Sequence, residues 1–78
     1  MTGAEFARLL TLAGLQQVEF GRLMGALTGT PGPDGHQVSR WCRGVRPVPR
    51  WAVAVLRLFL QLPGWKQADY LTDIRKGR

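Results

Sequence analysis

Eleven consecutive residues, Asp34-Gly35-His36-Gln37-Val38-Ser39-Arg40-Trp41-Cys42-Arg43-Gly44, hold most of the chemistry this chain can offer. The Asp34 carboxylate is suited to accept the free backbone N–H groups of a first helical turn. Val38 and Trp41, three apart, share a helical face and can be buried together. The opposite face carries Gly35, His36, Gln37, Ser39, Arg40 and Arg43, which are small, hydrogen-bonding or cationic. Gly44 can end the helix in the left-handed conformation. A short helix with an apolar back and a donor-rich front matches what a DNA major groove admits. An ordinary solvated surface helix is the other reading of the same residues.

Other chemistries find less support. His36 is the only histidine and Cys42 the only cysteine, with five acids in the whole chain, so no catalytic constellation is expected. A lone cysteine makes no internal disulfide and is too little for a structural zinc site. Neither a metal nor a cofactor is therefore expected, and Cys42, beside Trp41, reads as a buried reduced thiol. Eleven Lys and Arg against five acids give a net charge of +6, which favours polyanionic partners, meaning nucleic acid or an anionic membrane surface. The span 51–62 is strongly apolar, but Arg57 interrupts it and it falls short of the ~20 residues needed to cross a bilayer. No stretch reads as a signal peptide, so a soluble intracellular protein is expected. A length of 78 residues implies one small domain.

The elements that must position these residues are helical. Thr2 and Glu5 have capping-box spacing, followed by Phe6, Leu9, Leu10 and Ala13 at helical intervals up to a stop at Gly14. Gln16 offers a cap to a second helix over 17–26, with Phe20, Leu23 and Leu27 inward and Glu19 and Arg22 outside. Gly21, in that helix's interior, implies that another backbone passes too close for a side chain. The Gly/Pro/Thr run 28–34 is a loop, and 45–49 an extended linker, with Pro49 also suited to a helix's first turn. A fourth helix over 49–62 turns Ala52, Val55, Leu56, Phe59 and Leu60 inward and leaves Val53, Leu58 and Leu62 outside, enough apolar surface for the domain's centre or for a partner. Pro63-Gly64 breaks it. A last helix, 65–74, sets Ala68, Leu71 and Ile74 inward before a frayed basic tail at 75–78. No internal repeat or hairpin signal is present, and the class is all-α.

In this order the chain resembles the phage-repressor (Cro/CI-type, XRE) helix-turn-helix family. The resemblance runs from Phe6 to Leu60. It rests on Phe6, Leu9 and Leu10, on Gly14-Leu15-Gln16-Gln17-Val18-Glu19-Phe20-Gly21-Arg22-Leu23-Met24-Gly25, and on Val38-Ser39-Arg40-Trp41-Cys42-Arg43-Gly44-Val45-Arg46-Pro47-Val48-Pro49 with the apolar helix beyond. It implies a compact four- to five-helix lambda-repressor-like domain spanning 1–78, in which Gly21 lies where the two crossing helices touch. The chain departs from the family in its turn, which holds about seven extra residues. Such an extension costs only ~0.6 kcal/mol per doubling of loop length, so the fold should survive it.

The resemblance implies that His36, Gln37 and Arg40 face the major groove. There Arg40 can donate twice to a guanine, Gln37 suits adenine or a rim phosphate, and His36 can reach a purine N7. Gln17 at a helix N-terminus, with Ser39, Arg43, Arg46 and Arg50, would contact the DNA backbone. Trp41 belongs in the core, as less firmly does Trp51, while the Arg57 stem lies along apolar surface. A sequence-specific repressor of a phage or mobile element follows as the expectation, binding double-stranded DNA as a homodimer on an inverted repeat. It would not be an enzyme or a membrane protein, and it would work in a bacterial cytoplasm, associated with the nucleoid. The alternative is a protein-interaction module on the same scaffold, antitoxin-like or an adaptor, docking a protein partner through the inserted loop and the apolar C-terminal half.

Overall fold

Thr2 and Glu5 start the first helix by exchanging hydrogen bonds. The Glu5 N–H donates to Thr2 Oγ1 at 3.1 Å and the Thr2 N–H to Glu5 Oε1 at 2.8 Å. The computed structural model describes residues 1–76, which form α1 (Gly3–Leu12), α2 (Gln17–Thr28), α3 (Gly35–Cys42), α4 (Arg50–Gln61) and α5 (Gly64–Lys76). The described residues contain no strand, and the class is all-α. None of these helices is long and apolar enough to cross a membrane.

One core joins all five helices, with Phe6, Leu10, Phe20, Leu23, Val38, Trp41, Ala52, Leu56, Phe59 and Ile74 buried in it. The expected stripes of α1 and α2 therefore stand, with Leu9 and Leu27 at the margin. Gly14 and Gly44 adopt positive φ (+73° and +77°) beyond the C-terminal ends of α1 and α3, where an L side chain would be strained.

Several expectations are corrected. α2 runs on through Thr28, whose hydroxyl donates to Met24 O at 2.8 Å, and stops at Gly29 with φ +76°. The inserted loop thus begins one residue later than expected. Glu19, placed outside by its position on the helical wheel, is only 5% exposed. It is buried because Arg75, 56 residues on, meets it as a salt bridge of 2.7 Å. Arg75 accordingly belongs to α5 and not to a frayed tail, Lys76 ends that helix, and Gly77 and Arg78 lie outside the described residues.

α5 is also rotated relative to the expectation. Ala68 is exposed, while Gln67, Tyr70 and Leu71 are half-buried and Ile74 is buried. Gln67 sets this rotation by donating through Nε2 to Leu60 O and Leu62 O, at 3.2 and 2.9 Å, closing the C-terminal end of α4. Tyr70 then meets Phe59 edge-on at 6.3 Å.

Gly21 has the close neighbour its place in a helix implied, but the neighbour is not α3. A Cβ there would collide with the Pro33 carbonyl oxygen and lie 3.2 Å from its carbon, so the inserted loop itself lies across α2. Gly32 presses back, and a Cβ on it would fall 2.6 Å from Met24 Cβ and 2.9 Å from Gly21 Cα. Where α3 approaches α2, a Cβ on Gly35 would lie an ordinary 3.5 Å from Val18 Cβ. A Cβ on Gly25, one turn further along α2, would meet only Thr30 O beyond its own helix, at 3.8 Å. The two helical glycines should therefore respond with opposite sign. Gly25→Ala is expected to raise stability by up to about 1 kcal/mol, the helix-propensity gain. Gly21→Ala should lower it by about 1–3 kcal/mol through overpacking. Urea midpoints of the two variants test this, and a Gly21→Ala midpoint at or above that of the parent chain would remove the loop contact from the account.

Candidate nucleic-acid interface

α3 is launched where expected. Asp34 Oδ1 accepts the Gln37 N–H at 2.9 Å, and the backbone N–H of Val38 reaches Asp34 O at 3.2 Å. Val38 is fully buried and Trp41 8% exposed. The Trp41 ring stands edge-on to three others, Phe6 at 5.9 Å, Phe20 at 6.3 Å and Trp51 at 5.7 Å. Rings supplied by α1, α2 and α4 thereby fix the rotation of α3 about its axis. At 3.6 residues per turn the opposite side presents His36, Arg40 and Arg43, with Gln37 on one flank; all four side chains are exposed.

The C-terminal exit of α3 brings further cations to this side. After Gly44 the chain folds back, and the N–H groups of Val45 and Arg46 both point at Arg40 O, at 2.9 and 3.3 Å. Arg46 is held near Arg40, and Gln37, Arg40, Trp41, Arg46 and Pro47 line one open hollow. No acid occurs in the sequence between Asp34 and Asp69, whereas Arg40, Arg43, Arg46, Arg50, Arg57 and Lys66 all do. The three arginines around α3 thus have no carboxylate beside them in the chain. His36 stands on an exposed face, and no group of His, Cys, Asp and Glu among the described residues is arranged to hold a metal ion.

The remaining candidate residues divide. Ser39 is half-buried, and its Oγ accepts from Arg43 Nε at 3.2 Å, an i,i+4 pairing that aims the guanidinium. Gln17 is exposed at the first position of α2. Burial pushes the Cys42 thiol above its ordinary value, and the polar Gln17 side chain offsets part of the rise. Cys42 is only half-buried, less than expected. Arg50 is exposed but lines a different depression, together with Met1, Val48 and Arg57, so it does not join the Gln37–Arg40–Arg46 group. Trp51 is corrected from core to surface at 45% exposure. It shares a hollow with Gln37, Pro31 and Pro33, which puts the inserted loop beside the flank of α3. The loop's contribution here had no signal in the sequence beyond its length.

The N-terminus of α2, where Gln17 sits, is held by the Glu19–Arg75 pair. Glu19 Oε1 accepts the Gln16 N–H at 2.9 Å, while Arg75 Nη2 donates to Gly14 O at 2.7 Å, so one ion pair spans the whole α1–α2 turn. The Arg75 guanidinium holds the Glu19 carboxyl below the usual carboxylate range, against the opposing effect of burial and with help from the Gln16 N–H. A carboxyl whose pKa is lower folded than unfolded contributes stability that is complete above its ordinary value, here 4.5, and fades as pH falls through the lower folded value. Arg75→Ala should therefore destabilise the chain at neutral pH, by an amount that solvent screening of the half-exposed guanidinium reduces. The gap to the parent chain should narrow only below pH 4.5, as Glu19 takes up its proton. Thermal melts across that acid range check it, and a gap insensitive to pH would mean that the contact is not ionic. Compared with protein-family models, curated proteins and solved structures, the chain finds no match in any of the three.

Proposed function

We propose that the chain is a sequence-specific double-stranded-DNA-binding regulator of the phage-repressor helix-turn-helix type. It would be a small repressor of a phage or mobile element that binds an inverted repeat as a homodimer in the bacterial cytoplasm. The observation that carries this reading is the exposed, acid-free cationic side of α3, presented by a helix whose back is locked through Val38 and Trp41. Arg40 is assigned to a guanine, through paired bonds to O6 and N7. Gln37 is assigned to the neighbouring base or to the groove rim, and His36 to a purine N7. Arg43, aimed by Ser39, neutralises phosphate, as do Arg46 and, from its separate depression, Arg50. The α2 N-terminus at Gln17 offers backbone amides to another phosphate.

The second reading is a protein-interaction module, and one observation favours it: Leu58 is 63% exposed beside an apolar hollow between α2 and α4. The two readings part in a salt series. Phosphate binding predicts that log affinity for duplex DNA falls linearly with log salt, by about 0.9 per phosphate contacted. Arg46→Ala should weaken all duplexes alike and flatten that slope by about one, whereas Arg40→Ala should cost about 1–3 kcal/mol on the preferred site and relax one base position. Selection of bound duplexes from a random pool supplies that site. If both variants bind the selected duplex like the parent, α3 is not the reading element.

A further inference from the structure

Away from α3, the surface feature that asks for an explanation is the second face of α4. This helix buries Ala52, Leu56 and Phe59. To one side of that face runs another apolar row of Trp51, Val55, Leu58 and Leu62, spaced four, three and four residues apart. That is the spacing with which one helix meets another along a seam. Trp51 and Leu58 are 45% and 63% exposed, and Val55 and Leu62 are half-buried. Leu27 and Thr28, from the last turn of α2, face the row across an apolar hollow with Phe59 beneath.

We infer that this row is where a second copy of the chain docks, α4 lying antiparallel to α4 across a two-fold axis near Leu58. Two observations select a second copy over a foreign partner. The first is self-complementarity. Across a two-fold axis a patch meets itself, so a projection needs its recess on the same surface, and Leu58 projects beside the hollow that can receive its mate. The second is charge. Chains of net charge +6 repel unless they meet on a face without cations, and neither row nor hollow has one, because Arg50 and Arg57 line the depression with Val53 and Ala54 instead. A basic chain recruiting an acidic helix would set cations around the groove, and none lines this one.

This inference deepens the DNA-binding reading by supplying its dimer surface, and its test is read without DNA so that either can fail alone. The row is small beside the ~800 Å² per partner of a stable complex, so association is expected to be weak in free solution. Sedimentation equilibrium from about 10 µM to about 500 µM covers the affinities such a patch can reach. The parent chain should pass from monomer towards dimer mass in that range. Leu58→Glu should raise the dissociation constant at least about tenfold, a change of ~1.4 kcal/mol, and Leu58→Ala should raise it less. Leu12→Glu, at a residue 69% exposed on α1 and outside the hollow, should associate like the parent. Circular dichroism establishes that each variant is folded; should Leu58→Glu not fold, Leu58→Ala decides. A parent chain monomeric throughout, a folded Leu58 variant that pairs as tightly as the parent, or a Leu12→Glu variant weakened as much as Leu58→Glu overturns the inference.

Discussion

The rest of the structure depends on the burial of Trp41 among rings from three other helices. Edge-to-face pairs contribute about 0.5–1.5 kcal/mol each beyond the area they bury, and Trp41 makes three of them. Their geometric consequence outweighs the energetic one. α3 is only eight residues long, too short to be stable alone, so its shape and bearing come from what its back touches. Turning it through half a turn would swing Val38 and Trp41 out of the core and the arginines in, burying charge without partners. The polar side is therefore held outward by the apolar side, whatever that polar side binds.

The inserted loop acts on the same helix from the other end. A flexible insertion would leave the start of α3 free to wander, but this loop is pinned. The Pro33 carbonyl lies against Gly21 and Gly32 against Met24, so the backbone reaching Asp34 comes from a fixed direction. Gly32 and Gly21 make room for one another, and either side chain would push the loop off α2. The insertion thus adds a layer beside the direct α2–α3 approach made by Phe20 and Trp41, the loop lying against α2 and leading into α3. Its prolines end beside Gln37 and Trp51, where they widen the surface that α3 presents.

Much of this was legible in residue order because it is local. Asp34 capping α3, the Phe6–Leu10 stripe, the stops at Gly14 and Gly44 and the inward pairing of Val38 with Trp41 are set by neighbours within a few positions. What failed to show depended on distance along the chain. Glu19 sits at a polar-looking wheel position, and its partner Arg75 is 56 residues away in a segment that reads as a basic tail. Gly21 announced a close contact, but composition cannot say whether the intruding backbone belongs to a helix or to a loop. Gln67 rotated α5 by reaching the carbonyls that close α4, an option open to any glutamine near a helix end. The exposed side chains at the candidate interface were readable as a set; that Arg46 would be folded back to Arg40 while Arg50 went elsewhere was not.

α4 connects the two surfaces assigned to this chain. Its first turn carries Trp51 against Trp41, the anchor of the cationic helix, and its last turn carries Leu58 at the apolar row, with Leu62 just past its end. A helix transmits a displacement along its axis with little loss, because each turn is bonded to the next. Under the antiparallel pairing inferred here, the partner's grip on Leu58 and the bearing of α3 are therefore set by one rigid element instead of two jointed ones. The Glu19–Arg75 pair serves the opposite side in the same way, tying α5 to the turn that presents the N-terminus of α2. Both ends of the cationic face are thus referred back to the C-terminal half of the chain, whose contacts with Trp41 and with the α1–α2 turn hold α3 and the N-terminus of α2 in place.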